Sequence, residues 1–156
     1  VLLDTIKLYI DIANKELKDL LKRVDLLCIN YNEAKALSGL DGKDLNVMAR
    51  SILNLGSKSL IIKDGPNGSH FFDSSKHFSI KAYPVQQVID TTGAGDAYIG
   101  GVLMGKMNGM DIFSSMKIGA VTASFCIEGV GTKGLLKMNK EAFNERLEWM
   151  NSQHTS

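Results

Sequence analysis

The chain contains the run Asp90-Thr91-Thr92-Gly93-Ala94-Gly95-Asp96, in which a turn of small residues leads into a carboxylate. An amphipathic helix is predicted to begin at this turn and to extend over residues 94–106. A Gly-Ala-Gly turn lets backbone N–H groups come close to a phosphate, and a helix start adds the positive end of its dipole. The run predicts an anion site with a carboxylate beside it. An ordinary helix N-terminus with an Asp in its first turn fits a bare Gly-x-Gly-Asp equally well.

The sequence around this run alternates between strand and helix patterns. Buried strands are predicted at 25–30 and 59–62, and helices at 10–23, 32–38, 44–55, 111–128 and 140–150. Residues 70–73 and 77–80 flank Ser74-Ser75-Lys76, which predicts a β-hairpin. The alternation predicts an α/β fold whose sheet is mostly parallel, with an antiparallel hairpin at its edge.

Composition bears on location and on partners. The 156 residues include 18 basic and 17 acidic side chains, so no overall field favours nucleic acid or a membrane surface as a partner. The longest apolar runs are too short to span a bilayer. Cys28 and Cys126 lie in apolar segments and are interpreted as reduced core residues, which favours a cytoplasmic protein. Four methionines are also interpreted as core residues: Met104, Met107, Met110 and Met116.

The longer segment Asp90-Thr91-Thr92-Gly93-Ala94-Gly95-Asp96-Ala97-Tyr98-Ile99-Gly100-Gly101 closely resembles the C-terminal signature of the PfkB (ribokinase-like) family of sugar and nucleoside kinases. The resemblance implies that Asp96 is the catalytic base for the acceptor hydroxyl. It also implies that the amides of Gly93, Ala94 and Gly95 form an anion hole for the transferring phosphoryl group. The fold implied is a three-layer α/β/α ribokinase-like sheet, and the implied cofactors are ATP and Mg²⁺.

A second motif, Asn30-Tyr31-Asn32-Glu33, follows a predicted strand and resembles the Asn-x-x-Glu motif of the same family. The resemblance implies that Asn30 and Glu33 help to place Mg²⁺, often through water. The alternative is structural, with an Asn capping a helix and Glu33 in its first turn. Because ligands of an open α/β sheet collect at the carboxyl ends of its strands, we expect the candidate motifs to converge there.

Nucleotide contacts are implied in two further segments. Leu60-Ile61-Ile62-Lys63-Asp64-Gly65-Pro66-Asn67-Gly68 resembles the strand and turn that border ATP in the family, with Gly65 as the strongest candidate. Lys63 is also explained as a solvated lysine at a strand end. A helix rich in small residues and the loop after it are implied to contact adenine, although close helix packing explains the small residues equally well. The implied nucleotide-binding residues are Lys63, Gly65, Gly68, Ile118, Val121, Gly129 and Gly131.

A monovalent cation is the last site that the resemblance implies. Asp90 and Thr92 help to bind such an ion in many relatives, so K⁺ is a candidate cofactor here. Other phosphate-binding folds are disfavoured, because the chain has no Gly-x-x-x-x-Gly-Lys-Ser/Thr sequence and Gly93-Ala94-Gly95 lacks the third glycine of a dinucleotide fold.

Complete members of the family are typically about twice as long as this chain. No counterpart of their Gly-rich sugar-binding motif or β-sheet lid is found, so the chain is interpreted as a fragment that lacks the N-terminal half. Residues 1–150 are expected to be the nucleotide-binding and catalytic part, and 151–156 a disordered tail. The function predicted is ATP-dependent phosphoryl transfer to a sugar, polyol or nucleoside hydroxyl. The alternative is a nucleotide-binding or oligomerisation module without catalysis. A homodimer is the candidate assembly.

Overall fold

The computed structural model describes residues 1–5, 9–10, 14–40 and 44–153. The chain divides into two compact units. The first comprises Val1–Gly65 and Ser69–Ser79, and the second comprises Pro66–Gly68 and Ile80–Ser156.

The sheet has five strands. In spatial order they are β1 (Leu2–Asp4), β2 (Leu26–Asn30), β3 (Ser59–Lys63), β4 (Ser69–Asp73) and β5 (His77–Ile80). β2 pairs in parallel with β1 and β3, whereas β3 and β4 are antiparallel. The Asp73 amide donates to the Lys76 carbonyl at 3.0 Å and closes the turn between β4 and β5. The predicted α/β fold, with parallel strands and an antiparallel hairpin edge, is confirmed.

Three helices accompany this sheet in the first unit: α1 (Asn14–Leu21), α2 (Tyr31–Ser38) and α3 (Leu45–Leu53). One face of β2 and β3 contributes Leu27, Ile29, Leu60 and Ile62 to the hydrophobic core, and the other face is buried as well. Fully burying a side chain of this size stabilises a fold by about 1.5–3 kcal/mol. Of the helix predicted over 10–23, residues 11–13 lie outside the described part of the chain.

The second unit is helical. It contains α4 (Ala94–Met107), α5 (Ile112–Cys126), a short 3₁₀ turn (Lys133–Lys137) and α6 (Lys140–Ser152). α4 and α5 pack so closely that a Cβ atom on Gly101 would lie 2.8 Å from the Cα of Gly119. A Cβ atom on Gly119 would lie 2.7 Å from the carbonyl oxygen of Tyr98. Close helix packing therefore accounts for the glycine of α5.

Three of the four methionines predicted to lie in the core are exposed. The exposed fractions of Met104, Met107 and Met110 are 45%, 80% and 40%, whereas Met116 is fully buried. α4 buries the side that carries Gly101 and Gly105, and Met104 and Met107 lie on its opposite, exposed side. The hydrophobicity of a methionine does not indicate which side of a helix it occupies.

The predicted disordered tail is corrected in its first part. α6 continues through Ser152, and the Asn151 side chain accepts a hydrogen bond from Lys117 Nζ at 3.0 Å. Residues 154–156 lie outside the described part of the chain. No helix among the described residues combines the length and apolar character needed to cross a bilayer.

Candidate active site

The N-terminus of α4 lacks a side-chain cap. Its N-cap residue is Gly93, which has a φ of 80° and makes no capping hydrogen bond. Ala94 N donates to Thr91 O at 3.1 Å, so this predicted anion-hole donor is already used within the turn. The amides of Gly93, Gly95 and Asp96 have no acceptor within the described part of the chain. Two of the three predicted donors thus remain available, and the Asp96 amide is one that the sequence analysis missed.

The Asp96 side chain lies in the first turn of α4 and is exposed. Its carboxylate makes no hydrogen bond or ion pair with any described residue. A helix start with unused amides attracts anions, and a carboxylate without a partner can accept a proton. The arrangement is chemically suited to hold a phosphate and to deprotonate a hydroxyl next to it.

Asp90 joins the loop before α4 to the loop after α5. One of its carboxylate oxygens accepts from Gly131 N at 2.7 Å, and the other accepts from Thr92 N at 2.9 Å. These two backbone donors, the Gly131 amide foremost, lower the pKa of the Asp90 carboxyl. Asp90 and Gly131, which were predicted for a cation and a nucleotide respectively, are therefore brought into direct contact.

Cys126 strengthens the same junction. Its thiol lies 3.6 Å from the carbonyl oxygens of Thr92 and Gly131, toward which it donates. Burial raises the pKa of this thiol, and the charges of Asp90 and Asp96 act in the same direction. A Cβ atom on Gly93 would lie 3.0 Å from the Thr132 methyl group and 3.6 Å from Cys126 Sγ. Gly93 is thus required both by its positive φ and by these neighbours, and Cys126 and Thr132 are site-lining residues that the sequence analysis missed.

In the first unit, Asn30 and Glu33 form a capping box at the start of α2. Asn30 Oδ1 accepts from Glu33 N at 2.9 Å, while Glu33 Oε2 accepts from Asn30 N at 2.7 Å. Asn30 is exposed and Glu33 is buried, and this burial raises the pKa of the Glu33 carboxyl. The structural alternative for this motif, a helix cap, is therefore present. The other carboxylate oxygen of Glu33, Oε1, has no hydrogen-bond partner among the described residues.

Lys63 lies at the carboxyl end of β3, opposite Asn30 on β2. It is not a solvated lysine: its side chain is 15% exposed and its ammonium lies 3.7 Å from the Asp4 carboxylate. The Lys63 charge opposes the effect of burial on the pKa of Glu33. Asp4, at the end of β1, is a member of this cluster that the sequence analysis missed, because its partner is distant in sequence.

The remaining predicted nucleotide contacts differ in accessibility. Gly65 has a φ of 53° and open space where a Cβ would stand, and Gly131 has a φ of 57° and similar space. Gly68 is instead required by packing, since a Cβ there would lie 2.1 Å from Ile80 O. Gly129 packs in the same way against Gly134 N, at 2.4 Å. Ile118 and Val121 are 4% and 0% exposed, so Val121 has no free surface to offer a ligand.

The residues at these sites suit the three implied cofactors, ATP, Mg²⁺ and K⁺, to different degrees. Unused amides and open glycine surfaces suit the phosphates and backbone-facing edge of a nucleotide. Glu33 Oε1 and water suit Mg²⁺, which prefers oxygen ligands and keeps several waters. No group of three or more His, Cys, Asp or Glu side chains among the described residues is placed to hold a metal ion. Both oxygens of Asp90 already accept amide hydrogen bonds, so K⁺ binding there stays a prediction, as does the convergence of the Asn30 and Asp96 motifs.

Comparison with known proteins identifies the relatives of this chain. Residues 4–138 match the pfkB family carbohydrate kinase. The chain is 28% identical over 133 residues to the ribokinase of Arabidopsis thaliana, covering 78% of this chain and 35% of that protein. It is 30% identical over 119 residues to the nucleoside kinase of Methanocaldococcus jannaschii, covering 76% of this chain and 38% of that protein. The chain thus spans less than half the length of these curated relatives.

Solved structures share the fold of this chain over most of its length. The crystal structure of the Methanocaldococcus jannaschii nucleoside kinase has a TM-score of 0.78 and 27% identity, covering 96% of this chain and 48% of that one. The Arabidopsis thaliana ribokinase complexed with ribose and ATP has a TM-score of 0.75 and 24% identity, covering 84% and 43%. With its signature glycines and Asp96 at the start of α4 and a family match over most of its length, the chain belongs to the PfkB family of carbohydrate kinases.

Proposed function

We propose that the protein transfers the γ-phosphoryl group of ATP to a hydroxyl group of a sugar, polyol or nucleoside. The observation that carries this proposal is the start of α4, where the unused amides of Gly93 and Gly95 adjoin the unpartnered Asp96 carboxylate. Phosphoryl transfer depends mainly on positioning and on donors fixed in advance, and this helix start supplies both. The relatives, which are sugar and nucleoside kinases, support the same class of acceptor.

In this proposal Asp96 takes the proton from the acceptor hydroxyl, and the helix-start amides hold the transferring phosphoryl group. In the second unit, Gly131 lies against ATP in this proposal, because it leaves open space where a Cβ would stand. In the first unit, Gly65 leaves similar space and is proposed separately as a nucleotide contact. Asn30 and Glu33 would hold Mg²⁺, with Glu33 Oε1 and water as oxygen ligands, and a bound Mg²⁺ would supply charge neutralisation for phosphate. Asp90 and Cys126 act indirectly, since they fix the loop that carries Gly131 against the turn before α4.

The test combines calorimetry with a turnover assay on the intact protein. A non-hydrolysable ATP analogue should bind saturably, more tightly with Mg²⁺, and Gly95→Val should abolish this binding by obstructing the turn. Gly100→Val is the matched control, because Gly100 lies on the same helix and has open space where a Cβ would stand. ADP release should rise when the correct sugar, polyol or nucleoside is added. Absence of both analogue binding and acceptor-dependent ADP release would contradict the proposal.

A second candidate function is a nucleotide-binding module without catalysis. It is favoured by the exposure of Asp96, because transfer to an alcohol in preference to water requires a site from which water is excluded. Analogue binding that depends on Gly95, with no acceptor-dependent ADP release across the panel of acceptors, would support this candidate over the kinase.

A further inference from the structure

A groove of about 720 Å³ lies in the first unit, on the side of the hairpin turn between β4 and β5. It is lined by α3, by the segment that leads into β3, and by residues 72–77 of the hairpin. Its volume is in the range of small-molecule sites. Lys58 and Ser59 stand at the amino end of β3, whereas Lys63 stands at the carboxyl end, about 13 Å away over five residues of strand. The groove is therefore separate from the Asn30, Glu33 and Lys63 cluster.

The charge of the groove is predominantly positive. Arg50, Lys58 and Lys76 line it, and Asp73 is the acidic residue in its lining. The Asp73 carboxylate is already engaged, because it accepts from the amides of Ser75 and Lys76, each at 2.7 Å. Lys58 is also engaged, in an ion pair with Asp25 at 2.6 Å. Arg50 has no ion pair with any described residue, whereas the Ser75 amide and, to a smaller extent, the Lys76 charge lower the pKa of the Asp73 carboxyl. Three cations and one carboxylate leave the lining with a net positive charge.

A buried hydroxyl group adds an independent observation. Ser57 lines the groove and is 5% exposed, and its Oγ is buried without a hydrogen-bond partner. It is the one such side-chain atom among the described residues. Buried polar groups are nearly always satisfied, so the unsatisfied hydroxyl beside this groove is a candidate contact for a group that binds there.

The floor of the groove is apolar. Ala49 and Phe72 are almost fully buried, and the Phe72 ring stacks on the His77 ring with 4.2 Å between centroids. Leu53 contributes further apolar surface. This floor can cover the hydrocarbon or ring portion of a ligand while its charged end faces the cations.

We propose that this groove is a second binding site, which takes a small phosphate monoester with an apolar or ring-bearing body. A phosphate monoester carries close to two negative charges at neutral pH, which suits a lining of three cations and one carboxylate. The guanidinium group of Arg50 is suited to bidentate contact with phosphate oxygens, and Ser57 Oγ gains a hydrogen-bond partner. The body of the ligand lies over Leu53 and the exposed His77 ring, which stacks on Phe72.

The test is calorimetric titration of the intact protein with phenyl phosphate, with a saturating non-hydrolysable ATP analogue present to fill the proposed nucleotide site. Saturable binding is expected, and Arg50→Ala should weaken it by about tenfold because a charge-assisted contact is lost. Arg23→Ala removes the same charge from an exposed position outside the groove and should leave the affinity within about twofold. No saturable binding, or equal losses in the two variants, would overturn the proposal.

Two further measurements test the details. Ser57→Ala should weaken phenyl phosphate binding without lowering Tm, because the hydroxyl has no partner to lose in the unliganded protein. A lower Tm for this variant would overturn the role of Ser57. Inorganic phosphate should bind less tightly than phenyl phosphate, and equal affinities would overturn the role of the apolar floor. Because Arg50 does not contribute to the kinase proposal, a loss of affinity specific to Arg50→Ala identifies this groove whether or not ATP is bound or turned over.

Discussion

The starts of α2 and α4 are both candidate site elements, yet their chemistry differs. At α2 the polar side chains are used by the helix itself, because Asn30 and Glu33 cap each other's backbone amides. At α4 the N-cap is a glycine without a side-chain hydrogen bond, and Asp96 in the first turn has no partner among the described residues. The carboxyl group is buried in the first case and exposed in the second.

The difference shows how the same helix geometry can serve stability or ligand binding. Every helix start has backbone donors that need acceptors. α2 satisfies them internally, and so it contributes to stability and leaves only one Glu33 oxygen for a ligand. α4 leaves donors unsatisfied, which costs stability unless an anion or water supplies the acceptor. The start of α4, with its unsatisfied amides, is therefore the stronger candidate for phosphate binding and catalysis.

The largest effect is expected for Asp96→Asn in the intact protein. Loss of a general base typically reduces kcat by about 10²–10⁴-fold, whereas the affinity for ATP should change little because Asn keeps the size of the side chain. Steady-state kinetics with an active acceptor measure both quantities. Asp19→Asn, at an exposed position of α1, is the control and should retain full activity. A kcat within a few-fold of wild type would show that Asp96 is not the base.

The next effect is expected for Gly93→Ala. A non-glycine residue at this φ costs about 1–2 kcal/mol, and the new Cβ would press on the Thr132 methyl group. The turn must therefore shift, and ATP binding should weaken together with stability. Gly39→Ala is the matched control, since Gly39 has a similar φ of 67° but open space. Urea denaturation and calorimetry should show strain in both variants and loss of ATP affinity only in Gly93→Ala. Equal ATP affinities would remove the anion-hole role from this turn.

A smaller effect is expected for Asn30→Ala, which removes the cap of α2. The free energy of unfolding should fall by about 1 kcal/mol. Asn139→Ala removes the equivalent cap of α6, where Asn139 Oδ1 accepts from Ala142 N at 2.9 Å, and should cost a similar amount. If the α2 start also holds Mg²⁺, only Asn30→Ala should reduce the effect of Mg²⁺ on ATP affinity. An unchanged Mg²⁺ effect would mean that Asn30 serves only as a cap.

The smallest effect is expected for Glu33→Gln, and it depends on pH. Burial raises the pKa of Glu33, so the folded state holds this proton more tightly than the unfolded chain does. The stability contributed by the protonated group is complete below the unfolded pKa and is lost as pH rises through the folded pKa. Gln retains an acceptor for Asn30 N but cannot ionise.

Urea denaturation across acidic to neutral pH should therefore show Glu33→Gln gaining stability relative to wild type as pH rises. Glu141→Gln, at an exposed position in the first turn of α6, is the control and should show no such gain. A constant difference between Glu33→Gln and wild type at all pH values would contradict a raised pKa at Glu33.

Local patterns were sufficient for most elements of secondary structure. The hairpin at Ser74–Lys76 and the long helix from Ala94 follow from turn residues and hydrophobic spacing, which act over a few neighbours. Side-chain surroundings were harder to predict. The solvated alternative for Lys63 is wrong, because its side chain is paired with Asp4, and three methionines predicted for the core are exposed. Those outcomes depend on residues distant in sequence.

The family, the α/β alternation and the identity of the residues at the α4 start could all be predicted from the sequence, because each depends on local order along the chain. The contacts of Asp90 and Cys126, which join two loops more than thirty residues apart, became evident only in the folded structure. The tertiary structure also decided that Val121 is buried and that Ser57 lacks a partner. Burial and hydrogen-bond satisfaction depend on which distant segments pack together, and that packing is fixed only when the chain folds.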